Sequence, residues 1–254
     1  MNGNKVFVTL IGPVASFDLK YLEASYSFII PLFQQTNMLR QSYRLEILRH
    51  TLSRDGLLAF CVQSARIARS LLFSDHRMVY ALNPSSLMDG DAVERQLGYN
   101  VTVIHNLDTI SEEEEALLGN NQKYFPWNIK TRLQSGSYCW LGMMECKLAN
   151  IGWTTRGDRI EAYFFPLTKK NIIISHCATL PQWQGKGLYP VMLQHIVRAT
   201  SDQMIDRIFI ESSDWNRAST RGIQRAGFQM VGTGICKKNN SLLWVEQASC
   251  GDGD

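Results

Sequence analysis

The chain has 254 residues, 45% of them hydrophobic, and a formal net charge of +3. That is enough apolar content for a sizeable core, and too little positive charge to make nucleic acid the main partner. The six cysteines (61, 139, 146, 177, 236 and 250) form neither a C-x-x-C pair nor a Cys/His set at metal-ligand spacing. Reduced thiols and no bound metal are therefore expected. No apolar run reaches membrane-spanning length, and the N-terminus lacks a charged-then-apolar signal pattern, so a cytoplasmic location is expected.

Residues 1–37 carry few signals, and translation starting at Met38 is a live alternative to Met1. Gln41 to Leu52 reads as a short helix, interrupted at Gly56; Leu57 to Phe73 reads as a second, with Arg66 and Arg69 among apolar residues. A basic amphipathic helix can lie on an anionic membrane, but with two arginines docking on a neighbouring domain is favoured over peripheral membrane contact. His76 to Leu82 reads as a strand stopped by Asn83-Pro84. The expected division is an N-terminal segment 1–37, a helical extension with one short strand over 38–99, a domain over 100–247 and a flexible tail 248–254.

From Asn100 onward the signals are denser. Asn100 to His105 is a strand, and Ser111 caps a helix whose first turn is Glu112 to Glu115. Tyr138 to Met144 and Ala149 to Thr155 pair around the turn Glu145 to Leu148. Asn171 to Leu180 is a β-branched strand ended by Pro181. Leu188, Met192, Leu193, Ile196 and Val197 then fall at helical spacing, which starts a helix near Gly187. Between strand and helix lie Gln184-Gly185-Lys186-Gly187, two residues without Cβ where backbone N–H groups can approach an anion at a helix N-terminus. A strand 207–212, a helix 216–226 capped by Asn216 and closed by Gly227, a strand 229–236, the turn 237–240 and a strand 241–245 follow. Hairpins first and strand–helix alternation afterwards imply an α/β (α+β) chain with a mixed sheet.

The glycine spacing fits neither the dinucleotide fingerprint, since position 190 is Pro, nor the P-loop, since no Ser or Thr follows the Lys. It fits Q-x-x-G-x-G at Gln182, Gly185 and Gly187, and so resembles the coenzyme A pyrophosphate loop of the GNAT superfamily of N-acetyltransferases. A second block, Asn216 and Ser219 followed by a helix ending in Gly227-Phe228, resembles that family's N-x-x-S/A and G-F pattern. The resemblance covers residues 101–247 and implies a mostly antiparallel sheet in which two parallel strands, 171–180 and 207–212, splay apart. It implies acetyl-CoA as co-substrate and a small-molecule amine as acceptor. Gln184, Gly185, Lys186, Gly187, Leu188 and Tyr189 would anchor the pyrophosphate, Asn216 and Ser219 would face the pantetheine arm, and the backbone of Cys177, Ala178 or Thr179 would hold the thioester carbonyl. Gly187-Leu-Tyr-Pro190, together with the early helices and strand, is similar to a subgroup associated with bacterial surface-polysaccharide biosynthesis, which favours an amino-sugar nucleotide as acceptor.

Amide formation also needs a base for the amine. His176 and Glu211 are the candidates, His176 because an imidazole titrates near neutrality. Strand alternation would place Ser175 and Cys177 on one face and His176 on the other, and whether His176 reaches a substrate or fills the core is open. His195, inside a helix, reads as structural or exposed. Many family members carry a Tyr four residues before the Gly of G-F as the acid for the departing thiolate; here that position is Ile223, leaving water, Ser219 or Tyr189. The departure keeps a second reading open, an acyl-CoA-binding module without catalysis that docks through residues 40–80. Acceptor specificity would lie around Tyr124 to Asn128 and Gly157 to Lys170. The acceptor, the acyl length and homo-oligomerisation are not fixed by the sequence.

Overall fold

The structure is a computed structural model and describes residues 48–49, 51–53, 56–68, 74–86, 98–121, 128–201, 204–237 and 241–247. The expectations for residues 1–37, for most of 41–52, for 69–73 and for Tyr124 to Trp127 lie outside those residues. In chain order come helix α1 (56–68), β1 (Ser74–Leu82), β2 (Tyr99–Ile104), α2 (Glu112–Asn121), α3 (Ile129–Gln134), β3 (Tyr138–Met144), β4 (Lys147–Arg156), β5 (Asn171–Thr179), α4 (Leu188–Thr200), β6 (Arg207–Ser213), α5 (Arg217–Arg225), β7 (Gln229–Lys237) and β8 (Leu242–Glu246).

The eight strands form one sheet in the order β2-β3-β4-β5-β6-β1-β7-β8. Every neighbouring pair is antiparallel except β5 and β6, which run parallel. This is the mixed, mostly antiparallel α/β architecture with flanking helices that the sequence implies. Alternation along β4 defines the two faces. Gly152 lies beneath Met192 and Ile196 of α4, whereas Trp153 lies beneath Arg132 of α3. Helices α4 and α5 therefore cover one face. On the other, α3 covers the β4–β5 half, and Phe164 and Phe165 cover the half around Phe209 and Gly234. Apolar burial on both faces supplies the main stabilisation: Trp153, Ile174, Met192, Leu193, Ile196, Val197, Ile208 and Ile223 are all fully buried.

Three expectations are corrected. The boundary at 99/100 would leave β1 outside the domain, yet β1 lies in the middle of the sheet, hydrogen-bonded to β6 on one side and β7 on the other. Val79 and Tyr80 are wholly buried, because a strand paired on both edges with both faces covered reads as an apolar run. The β3–β4 turn is Glu145-Cys146 alone, both at positive φ (50° and 58°), so β4 begins at Lys147 rather than Ala149. A two-residue turn of that kind matches the twist of the strands it joins. The third correction concerns β5, and it bears directly on the site.

Helix α1 joins the sheet domain through Gln63, buried, which donates to the Trp215 carbonyl, and through Arg66, 3.5 Å from the Asp214 carbonyl. No helix among the described residues is long and apolar enough to cross a membrane. The described cysteines 61, 139, 146, 177 and 236 are free thiols, and no metal-binding group of His, Cys, Asp and Glu occurs among the described residues.

Candidate functional site

The parallel ladder between β5 and β6 is short. Asn171 to Ile174 pair with Arg207 to Ile210, and the pairing stops there. From Ser175 to Thr179 the β6-facing edge of β5 has no strand beside it, so backbone groups of Cys177, Ala178 and Thr179 border a gap in the sheet. That gap opens toward the loop leading into α4. Among the described residues, two shallow cavities lie elsewhere, one by Asn83, Ser201 and Asp206 and the other by Thr102, Glu114 and Met143. Neither brings together a base, a donor cluster and a break in the sheet.

The loop is built by two left-handed glycines, Gly185 (φ 78°) and Gly187 (φ 77°). A β-carbon at either would meet nothing within 4 Å, so the loop surrounds open space rather than packed protein. Leu188, buried, ties the start of α4 to the core. Gln184 donates from its amide to the Thr179 carbonyl at 3.2 Å, bracing the loop against the end of β5. The Lys186 ammonium lies 4.4 Å from the centroid of the Trp183 ring, a cation–π contact that holds the charge at the loop. Among the described residues, the N–H groups of Gly185, Lys186 and Gly187 find no acceptor within the protein. Donors clustered at the positive end of a helix suit a phosphate oxyanion.

The third correction is a β-bulge. Trp153 pairs with Ser175 and Ile151 with Ala178, so two residues of β5, His176 and Cys177, face the single residue Gly152. His176 takes φ 51° to make the bulge. The simple alternation that would set His176 opposite both neighbours is broken. Cys177 lies toward α4, its sulfur near Gly152 and Met192, while Ser175 stays on the Trp153 face. His176 is exposed, and its Nε2 lies 3.4 Å from the guanidinium of Arg132. A guanidinium can only donate, so in that contact Nε2 is the accepting nitrogen. Arg132 also donates to Ser175 Oγ at 3.2 Å and stacks 4.9 Å from the Trp153 centroid.

Glu211 stands on β6 one residue beyond the last paired residue, Ile210, as Ser175 stands one beyond Ile174 on β5. Ile173 and Phe209 are aligned in register two residues earlier, so Ser175 and Glu211 share the face that carries Arg132. Glu211 lies 3.5 Å from Arg77, which also pairs with Asp75 at 2.7 Å. Burial alone would lower the Arg77 pKa, but Glu211 and then Asp75 raise it overall, so this guanidinium stays charged. The same carboxylate, secondary to burial, pushes the Tyr163 phenol up.

On the other face, Tyr189 occupies the space beside α5. A β-carbon on Gly222 would come within 2.4 Å of its ring, and its hydroxyl lies 3.4 Å from Ser219 Oγ. Ile223, where the resemblance would put a Tyr, is fully buried in the core. Tyr189 thus brings a phenol from α4 to the side of α5, where it meets the Ser219 hydroxyl and where Ile223 supplies no polar group. Burial pushes the Cys177 thiol up to about 12, against smaller opposing effects from the Trp153 backbone and Tyr189. A thiol protonated at neutral pH is a poor nucleophile. Asn216 caps α5 by accepting from the Ser219 N–H at 3.1 Å, so its oxygen is committed to the helix. His195 packs edge-on to Trp140, ring centroids 6.1 Å apart, and serves structure. Asn128 caps α3 through Thr131 N–H, and within Gly157 to Lys170 the aromatic residues Tyr163, Phe164 and Phe165 pack on the second core.

Sequence reasoning missed Arg132. No sequence signal marked it, and nothing local indicates that the six-residue helix Ile129–Gln134 carries it to the bulge.

No protein-family model matches this sequence, and no curated protein matches it. Among solved structures the chain is similar to a GCN5-related N-acetyltransferase from Kribbella flavida, at 13% identity and TM-score 0.44, over 64% of this chain and 57% of that one. It is similar to an acetyltransferase of the GNAT family from Colwellia psychrerythraea, at 11% identity and TM-score 0.47, over 69% of this chain and 57% of that one. A third is AAC(6')-Ib in complex with parmomycin and acetyl-CoA, at 14% identity and TM-score 0.45, over 61% of this chain and 99% of that one. The chain thus spans 57% of the length of each of the first two.

Proposed function

We propose that this protein is an acetyl-CoA-dependent N-acetyltransferase of the GNAT type that acts on the amine of a small acceptor. The observation that carries the reading is the parting of β5 from β6 after Ile174, next to a two-glycine loop in which the N–H groups of Gly185, Lys186 and Gly187 find no acceptor among the described residues. When bound, the co-substrate supplies an activated acetyl group as a thioester. The loop from Gln184 to Tyr189 would take the pyrophosphate through backbone N–H groups, with Lys186 adding charge. The backbone of Cys177 to Thr179 borders the gap and would donate to the thioester carbonyl, an electrostatic role that does not depend on side-chain identity. Asn216 and Ser219 would border the pantetheine arm, Asn216 chiefly by fixing the start of α5.

Tyr189 is the group best placed to give a proton to the departing sulfur, since its hydroxyl shares the α4–α5 cleft with Ser219 and Cys177. On the acceptor side His176 and Glu211 flank the gap. The contact from Arg132 occupies His176 Nε2, so Glu211 takes the larger part in receiving the amine proton, directly or through water. Among acceptors, an amino-sugar nucleotide is favoured by the Gly187-Leu-Tyr-Pro190 resemblance, and the free thiols fit a cytoplasmic setting.

The second reading, a non-catalytic acyl-CoA module, draws on the buried Ile223. With β1 inside the sheet, Ser74 to Tyr80 leave its docking surface of residues 40–80; on α1, Leu57 and Leu58 are 69% and 80% exposed. Calorimetry with acetyl-CoA, followed by thiol release against a panel of small amines, separates the two. Binding with release on one amine establishes the enzyme, binding with release on none favours the module, and absence of binding sinks both.

A further inference from the structure

Arg132 is the one described arginine that is drawn into the sheet beside the gap without a carboxylate. Its guanidinium lies on the ring of Trp153, which is itself fully buried. Its two terminal nitrogens reach Ser175 Oγ at 3.2 Å and His176 Nε2 at 3.4 Å, and its Nε is buried without any hydrogen-bond partner. The described ion pairs are Arg77 with Asp75 and Glu211, Lys130 with Glu115 and Lys170 with Asp206. None compensates Arg132. Burial lowers its pKa, with a smaller opposing influence from the Cys139 thiol.

A partly buried guanidinium with only neutral partners costs free energy that a native chain normally recovers through an anion. Arg132 faces the same side of the sheet as Ser175 and Glu211, the first residues on either side of the opening. The pyrophosphate loop opens from the end of β5 into α4, which covers the opposite face. Two separate anion requirements therefore flank one gap, and the loop meets only one of them.

We infer that Arg132 receives an anionic group of the acceptor, a carboxylate or phosphate carried on the molecule whose amine is acetylated. The inference rests on the proposed acetyltransferase reading and narrows its substrate class to amines bearing negative charge, with Glu211 on the amine and Arg132 on the anion. Planar, paired donors suit either oxyanion. Polycationic amines are the class this arrangement rejects.

The test uses the full chain and does not require turnover. Inorganic phosphate, acetate and neutral acetamide are titrated into protein saturated with acetyl-CoA, and again into free protein, following tryptophan fluorescence, with Arg132→Met and Arg132→Lys in parallel. The methionine variant keeps the apolar stem over Trp153, and a circular dichroism melt checks that each variant folds. A saturable response to phosphate or acetate but not acetamide, weakened ten-fold or more in Arg132→Met and partly restored in Arg132→Lys, is the expected result. The same response in wild type and Arg132→Met, or none in wild type, overturns the inference. Phosphate against acetate distinguishes the two oxyanions. Acetyl-CoA binding is recorded on the same samples. Its loss in wild type would defeat the acetyltransferase reading while leaving the Arg132 result to stand by itself; normal acetyl-CoA binding with no Arg132-dependent anion signal would defeat this inference alone.

Discussion

Replacing Gly185 separates the shape of the loop from its electric field. At φ 78° any residue with a β-carbon pays for the left-handed conformation, about 1 to 2 kcal/mol. That cost is the same with and without ligand, so it lowers stability and cancels in the affinity. Because nothing lies within 4 Å of an added β-carbon, Gly185→Ala leaves the space around the loop open. Gly185→Glu adds the same strain and also a carboxylate. With roughly 6 Å between that carboxylate and each of two pyrophosphate charges, Coulomb repulsion at an effective dielectric of roughly 40 to 80 costs about 1.4 to 2.8 kcal/mol, or about ten- to a hundred-fold in Kd. Calorimetry with acetyl-CoA should show Gly185→Ala within about three-fold of wild type, a margin worth roughly 0.6 kcal/mol, and Gly185→Glu weakened by the larger factor. Thermal melts should place the two variants together. At about 1 M salt, where the Debye length is near 3 Å, much of the Glu penalty should vanish. If Gly185→Ala weakened binding as much as Gly185→Glu, crowding rather than charge would govern the loop; if Gly185→Glu bound like wild type, the pyrophosphate would lie elsewhere.

Three further outcomes are expected. Tyr189→Phe should lower kcat about 10²-fold, the low end for loss of a general acid because a thiolate already leaves well, while calorimetry finds acetyl-CoA affinity unchanged; an unaltered kcat would return the proton transfer to water. Gly142→Ala would put a β-carbon 1.8 Å from Asn150 Oδ1 and 2.0 Å from the Tyr99 hydroxyl, forcing apart a buried hydrogen bond of 2.6 Å, and should cost about 2 to 4 kcal/mol in urea unfolding. Cys177→Ala should retain activity, since the thiol is protonated at neutral pH. Because the folded thiol titrates near 12 against an ordinary 9.0, the unfolded chain loses that proton first, and stability falls as pH rises from about 9 toward 12. Wild type should therefore lose stability over that window with a slope steeper than Cys177→Ala by up to one proton, read from urea unfolding at successive pH values; equal slopes would refute the burial argument.

Most of the second half of the chain was legible because its signals are local. The β-branched run of β5, the apolar stripe of α4, the caps Asn216 and Gly227 and the glycines at 185 and 187 each determine backbone geometry within a few residues. The structure reproduces those elements to within one or two residues. What could not be read depends on contacts far apart in sequence. His76 to Leu82 looked like a short strand in an extension because nothing in seven residues says which sheet it enters, yet it joins β6 and β7 some 130 and 150 residues later. The Glu145-Cys146 turn was misjudged because it uses positive φ without a glycine to announce it.

The bulge at His176 follows the same logic, and it sets which side chains border the gap. Periodicity two assumes an uninterrupted ladder, and the break lies opposite Gly152 on β4, whose bare Cα leaves room for Met192 of α4 and the sulfur of Cys177. Two residues of β5 then share one position, and the extra residue turns His176 out toward Arg132. Packing on the α4 face is in this way coupled to side-chain placement on the Arg132 face. A substitution such as Gly152→Ala would place a β-carbon 2.4 Å from Met192 Cε and 3.2 Å from Cys177 Sγ. Methionine is flexible enough to yield, so the sheet would survive, but the bulge would have to shift, and with it His176, the partner of Arg132. The site is held by the bulge, which no single segment of sequence specifies.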